Sequence, residues 1–425
     1  MTLAPLPLLR RGAWYQSADQ LAAPGPALPP VSLAPEILLR RDARRLRTAA
    51  LPAVPGPPAR AAILTEAVRL FTADTVDCGG LGKQTAADFR TALWRSAGLP
   101  AALVDRWCAM LTGGLAVTTS KAQTGTVPAG MAPAGPAAGP RPPRLTLISL
   151  PANTFTCLES VLSALWAGDV AWVRPSSREP LSALRLVSAL VQAGWPAELI
   201  GFYPTVQGLL RTLAGITDRQ IVYGGPGLAA VIGRSPGAEV HGPMRVCAVI
   251  PDGAGPDQTA AALLPLLARD GGRFCTTVRA IFCRADPAQL AERLAARLDA
   301  IPFPPHVSPG LPLAASQDAG QAAAVAAAVT SRLGAGDAIV TARPLLSSLG
   351  TGACLAPTLV RLASPGQDGQ PDWGQPPLLG FEAPFPLATI MQVTGAQEAR
   401  LTAAADLTHR LAGHRVPAGR TGGGR

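Results

Sequence analysis

Lysine and the aromatics are scarce in this chain. Only Lys83 and Lys121 are lysines, and Phe, Trp and Tyr together make up 4% of the residues. Arginine therefore supplies nearly all of the positive charge, with Lys+Arg 37 against Asp+Glu 27 and a formal net charge of +10. Abundant Ala, Gly, Pro and Arg beside so little Lys reads as a chain-wide codon bias. Apart from Arg40-Arg41-Asp-Ala-Arg44-Arg45, the arginines are scattered. A basic groove with stacking aromatics is not supported, which argues against nucleic acid as a partner. A milder reading has some arginines meeting phosphates on a nucleotide, or an acidic carrier protein.

Other absences are equally useful. The 7 cysteines form no CxxC pair, so neither a disulfide framework nor a zinc site is indicated. The 4 histidines (His241, His306, His409, His414) are too dispersed for a metal cluster, and no metal is expected. No apolar run of about eighteen residues lacks a breaker or charge, so no membrane span is expected. In the apolar stretch at residues 1–11 the charges Arg10 and Arg11 come last, the wrong order for a secretory signal. A cytoplasmic protein is the expectation.

A chain of 425 residues suits two domains. Residues 1–60 are proline-punctuated and read as an extended arm with a short basic helix. Helical periodicity follows at 61–72, 85–96 and 101–111. A Gly/Ala/Pro stretch at 122–143 reads as a linker. The rhythm then changes. Strand-like runs at 145–150, 169–173, 199–203, 220–223 and 245–250 alternate with helix-like segments at 154–167, 182–193, 206–214 and 227–232. That alternation predicts an α/β fold, a parallel Rossmann-type sheet wrapped by helices, with ligands at the strands' carboxyl ends. Asn153, Arg174, Pro204 and Gly225 fall at those ends. A second α/β domain follows. The expected divisions are an arm at 1–60, a dinucleotide-binding domain at 61–252, a catalytic domain at 253–394 and a short segment at 395–425.

Two positions suggest chemistry. Cys275 lies in the Gly-rich run Gly271-Gly-Arg-Phe-Cys-Thr-Thr-Val-Arg279, and Asn153 ends a strand far upstream. A thiolate attacks a carbonyl and an amide N–H stabilises the oxyanion, so the pair points to aldehyde or thioester chemistry. The bland readings are a buried Cys275 and an Asn153 that caps the helix starting at Thr154.

From Leu145 to about Val393 the chain resembles the aldehyde dehydrogenase superfamily. Ser149-Leu-Pro-Ala-Asn153 is similar to that family's strand ending in the oxyanion-hole Asn. Ala167-Gly-Asp-Val-Ala-Trp-Val-Arg174-Pro-Ser176-Ser177-Arg178-Glu-Pro180-Leu resembles A-x-G-N-x-V-V-x-K-P-S-E-x-T-P-L. Ala193-Gly-Trp-Pro196 matches A-G-x-P, and Ile221-Val-Tyr-Gly-Gly225 matches the I-x-F-T-G turn that meets the dinucleotide. Gly272-Arg-Phe-Cys275, with Arg279 after it, matches G-Q-x-C and the following R. Ala356-Pro-Thr358 and Glu382-Ala-Pro-Phe-Pro386 match P-T and E-I-F-G-P. The resemblance implies Cys275 as nucleophile, Asn153 as oxyanion donor, a cofactor contact from Arg174, Ser176 and Gly225, and a nicotinamide-ribose contact from Glu382. The plainer alternatives are a solvated loop acid at Glu382 and a strand-end surface charge at Arg174.

The departures narrow this. Counting back from the 245–250 strand puts His241 where the family has a water-activating Glu; Glu239 would need a two-residue slip. The His-Gly-Pro and Pro-Ser-Ser-Arg-Glu-Pro runs resemble the acyl-CoA reductase branch related to the long-chain reductase of bacterial luminescence. An enzyme of that branch keeps its thioester until a thiol or a hydride resolves it. His241 reads equally well as a catalytic group or as an ordinary loop histidine. Ser177 replaces the Glu that NAD-preferring members set on the ribose, and Arg178 follows. Losing a carboxylate and adding a guanidinium favours NADPH over NAD. Pro226 stands where the family often has Ser. The family's longer dimerising tail looks abridged after Val393, so a homodimer is implied less firmly.

The resulting expectation is NADPH-dependent reduction of an acyl thioester, from coenzyme A or an acyl carrier protein, to an aldehyde, with an acyl-activating enzyme as a further partner. A helix N-terminus or Arg273 would lower the pKa of Cys275. Three alternatives stand beside it. They are an oxidising aldehyde dehydrogenase using Glu239, a non-catalytic partner protein with the same fold, and a distant nucleic-acid binder.

Overall fold

The computed structural model describes residues 4–22, 29–79, 81–124, 143–232, 237–303, 312–350, 352–366 and 369–411. The chain divides into two compact units, Met1–Pro243 and Met244–Arg425.

The first unit is built on a sheet of β1 (Leu8–Arg10), β2 (Ala13–Tyr15), β3 (Leu145–Ser149), β4 (Val170–Arg174), β5 (Ile200–Phe202), β6 (Arg219–Tyr223) and β7 (Ala238–His241). Their order is β7-β6-β3-β4-β5-β1-β2. From β7 to β5 every pairing is parallel, and β1 joins antiparallel through Leu9 and Phe202. All five residues of β3 and of β4 are buried. Such two-sided burial is why these strands are mostly apolar, and it marks a sheet covered on both faces. The helices are α1 (Glu36–Thr48), α2 (Pro57–Ala73), α3 (Ala86–Ala97), α4 (Ala101–Thr124), α5 (Glu159–Trp166), α6 (Leu181–Gln192), α7 (Leu210–Ile216) and α8 (Pro226–Ile232).

The N-terminal region is more than an arm. Leu6, Leu8 and Leu9 are fully buried, and β1 and β2 extend the sheet. Arg11 (φ 53°) and Gly12 (φ 78°) make the tight turn between them, a geometry that suits a two-residue hairpin. Strands of three residues are too short to show a period. Helix α4 also continues past 111, where Thr-Gly-Gly reads as a stop. A Cβ at Gly114 would lie 3.1 Å from a Glu159 carboxylate oxygen, so close packing accounts for this glycine within a helix. Most of the expected linker, 125–142, lies outside the described residues.

The second unit holds β8 (Val246–Ile250), β9 (Ala280–Cys283), β10 (Ala338–Ile339), β11 (Thr358–Arg361), β12 (Leu387–Gln392) and β13 (Leu407–Arg410), ordered β10-β11-β12-β9-β8-β13. All pairs are parallel except β10 with β11. The boundary therefore falls before β8 and not at 252, because β8 pairs with β9 and β13. The segment from 395 is likewise integral. A capping box of Thr394 and Gln397 starts the helix Gly395–Ala403, and β13 completes the sheet.

Candidate active site

Strand order places the chemistry of the first unit at its carboxyl edge. A cleft of about 530 Å³ opens there, lined among others by Ser149, Arg174, Ser176, Ser177, Tyr223 and Gly225. A larger cleft of about 1070 Å³ lies at the opposite, amino edge. Its charges are paired, Arg47 with Asp218 at 3.6 Å and Arg219 with Glu239 at 3.2 Å. Parallel sheets bind ligands at their carboxyl ends, so the smaller cleft is the candidate site.

Arg174 ends β4 and is buried. Its Nε donates to Thr205 Oγ1 at 2.8 Å, Nη1 to Ser149 Oγ at 3.1 Å, and Nη2 to Gln207 Oε1 at 3.0 Å and the Thr205 carbonyl at 3.2 Å. All of these partners are neutral. Burial among neutral partners pushes the guanidinium down to about 10, a cost an incoming anion would relieve. It is a buried strut, not a surface charge. Ser177 and Arg178 are exposed, and the Arg178 N–H donates to Ser176 Oγ at 3.2 Å. Arg178 does not line the cleft, and the Pro226 side chain lies outside the described residues.

Asn153 follows β3 at the same edge and is partly buried. The first helical turn begins at Thr156, later than the sequence suggests, and the local turn bond comes from Thr154, whose Oγ1 accepts from the Thr156 N–H at 3.1 Å. The N-cap position of that turn is Phe155, two residues after Asn153.

His241 and Glu239 do not belong to a loop leading into β8. They lie on β7, at the edge of the other unit's sheet, so counting back from the next strand crossed a domain boundary. Two apart on a strand, they share a face. His241 Nε2 sits 2.8 Å from Glu239 Oε1. The imidazole stacks on Tyr223, with ring centroids 4.4 Å apart and planes 10° apart. The Tyr223 hydroxyl in turn lies 2.7 Å from Ser160 Oγ. Sequence reasoning missed Ser160, Thr205 and Gln207, which carry no motif.

In the second unit Cys275 sits on a loop, partly buried. Gly271 and Gly272 have φ of 62° and 66°, and a Cβ on Gly272 would meet the Pro386 nitrogen at 2.3 Å. Only glycine lets the cysteine loop press so closely on the 382–386 loop. Arg279, 3% exposed, binds the two together. Its Nη2 donates to the Gly272 and Ala383 carbonyls, and Nη1 to those of Phe385 and Leu387. Burial pushes Arg279 down to about 10.

The Cys275 thiol is raised, not lowered. Burial is the main cause and the Glu382 carboxylate adds to it. The backbone N–H groups of Cys275 and Thr276, with Arg279, pull the other way. Glu382 is exposed beside this loop. Cys247, Cys283 and Cys354 are buried, whereas Cys157 is only partly so. Among the described residues no cluster could hold a metal ion, and no helix is long and apolar enough to cross a membrane.

No family model matches this chain and no curated protein is similar to it. Solved structures are. An aldehyde dehydrogenase from Brucella melitensis biovar abortus 2308 superposes with a TM-score of 0.72 at 15% identity, over 96% of this chain and 89% of that one. An NADP-dependent enzyme from E. coli gives 0.72 at 15%, covering 96% and 90%. A NAD-dependent benzaldehyde dehydrogenase from Corynebacterium glutamicum gives 0.71 at 13%, covering 95% and 94%. The chain has the aldehyde dehydrogenase fold.

Proposed function

We propose that this protein is a nicotinamide-dependent oxidoreductase of the aldehyde group that reduces an acyl thioester to an aldehyde through Cys275. The observation that carries the reading is the buried Arg279, which ties the glycine turn ahead of Cys275 to the loop bearing Glu382. A thiol held on a loop against a second, acidic loop suits covalent catalysis better than core packing. In acylation the Cys275 sulfur bonds to the acyl carbon and the departing thiolate takes the proton. The raised thiol means that this proton must be handed over during attack, because little thiolate is present at neutral pH. Asn153 is the candidate donor to the tetrahedral oxyanion.

The carboxyl-edge cleft fits a dinucleotide in size, and it presents Ser176, Ser177, Gly225 and the buried Arg174. Arg174, whose partners among the described residues are all neutral, would meet ribose or phosphate oxygens. A serine at 177 with Arg178 after it, where a ribose-binding carboxylate would exclude a 2′-phosphate, favours NADPH. When bound there, NADPH supplies the hydride. Cys275 holds the acyl group for that reduction and then releases the aldehyde as the thiohemiacetal collapses.

A second reading draws on the 2.8 Å contact between His241 and Glu239. A carboxylate-oriented imidazole can activate water, which would make the enzyme an oxidising aldehyde dehydrogenase. Intact-mass analysis separates the two. The reductase gives an acyl adduct on Cys275 from acyl-CoA without reductant, discharged by NADPH and absent in Cys275→Ala. Rapid hydrolysis to free acid, with no adduct, would favour the oxidising enzyme. Aldehyde formation by Cys275→Ala would sink both.

A further inference from the structure

The outward face of α1 plays no part in the chemistry above. Its inward side is defined by Leu39, Asp42 and Ala43, all buried. Asp42 is pinned by Arg10 at 2.6 and 2.9 Å and by the Tyr203 hydroxyl at 3.1 Å. Helical period then aligns Ile37, Arg41 and Arg44 along the opposite side, flanked by Arg40 and Arg45. All are exposed, Ile37 to 78%. Arg40 pairs with Glu36 at 2.7 Å, whereas Arg41, Arg44 and Arg45 enter none of the ion pairs among the described residues. Asp42, the other carboxylate of the helix, is committed to Arg10. Cations this close repel one another, so the helix holds a standing preference for an anionic neighbour.

The helix also starts beside the candidate site. The Ala34 N–H donates to the Pro204 carbonyl at 2.8 Å, and the next residues of that loop, Thr205 and Gln207, hold Arg174 at the carboxyl edge.

Resting on the thioester-reductase reading, we infer that this face docks an acidic acyl-carrier protein that delivers the thioester. Guanidinium groups pair bidentately with the carboxylates of an acidic helix, and Ile37 supplies an apolar anchor within the charged field. A nucleic acid would use the arginines but leave the isoleucine without a counterpart, and the helix offers no aromatic for stacking. An anionic bilayer is disfavoured because the apolar side of α1 is occupied by its own domain.

The test is fluorescence anisotropy of the full chain with an acidic acyl carrier protein labelled on its phosphopantetheine thiol. Wild type should bind, more weakly as salt is raised. Arg41→Glu/Arg44→Glu/Arg45→Glu should weaken binding at least about tenfold and Ile37→Ser several-fold. NADPH binding and acyl-CoA adduct formation at Cys275 should be unchanged in both variants. Equal binding by wild type and the charge-reversed variant would overturn the inference. So would tighter binding of a DNA duplex or of anionic vesicles than of the carrier. Turnover is not part of this readout. Carrier binding that persists without any adduct from either donor would therefore count against the reductase and not against the docking face.

Discussion

Three buried arginines, Arg174, Arg185 and Arg279, carry much of this molecule's local order, and each donates to neutral oxygens. Arg185 caps the end of α2 by donating to the carbonyls of Leu70, Phe71 and Asp74, and lies over the Phe89 ring at 5.0 Å. Five fixed donors per guanidinium let one side chain satisfy several carbonyls of a loop at once. Such roles are invisible in sequence, where a buried arginine looks like any other. Motif matching singled out Arg174 and Arg279, but not what they bind. Cys275 shows the same limit. Its position was legible from the glycine-rich run, but the direction of its shift depends on burial and on Glu382, a hundred residues away in the chain. Because that shift is upward, the thiolate fraction is small at neutral pH and grows as pH climbs through the raised value. Iodoacetamide should therefore label the Cys275 peptide slowly at pH 7 and steeply faster toward alkaline pH. Glu382→Gln removes a negative neighbour, lowers the thiol's pKa and should speed labelling several-fold at pH 8. An unchanged rate would mean that burial alone governs this thiol.

At the scale of elements, the glycine turn before Cys275 is the most exacting junction. Gly272 sits at positive φ with Pro386 backbone where a side chain would go. Gly272→Ala adds left-handed strain to a backbone clash, and should cost about 2–4 kcal/mol or more. Urea unfolding checks this, with Gly253→Ala, whose Cβ would meet nothing within 4 Å, as a control for the strain alone. Central strands such as β3 and β4 were legible because burial on both faces leaves a mostly apolar run. β7 was not. Its residues Ala-Glu-Val-His are only partly buried at a sheet edge, and nothing local distinguishes them from a loop.

For the whole molecule, each unit has its own sheet and core, so a ligand of one should leave a local signature. With NADPH at a hundred times its Kd, mass action stabilises the folded protein by about 2.7 kcal/mol. Amide hydrogen exchange should show protection at 149–151, 174–178 and 223–228, the segments around the carboxyl-edge cleft. NADH should protect less, and Arg178→Ala should narrow the gap. Equal protection by both would remove the 2′-phosphate preference.

The alternation of apolar runs with helical periods was enough to specify an α/β chain with a parallel sheet, because strand and helix periods are written in neighbouring residues. The order of glycine, cysteine and arginine likewise marked one loop for chemistry. Where the units divide, that β1 and β2 complete a sheet, that His241 meets Glu239 and Tyr223, and that burial and Glu382 raise the Cys275 thiol were settled by folding alone. Each depends on contacts between residues far apart in the chain, and a local pattern carries no record of them.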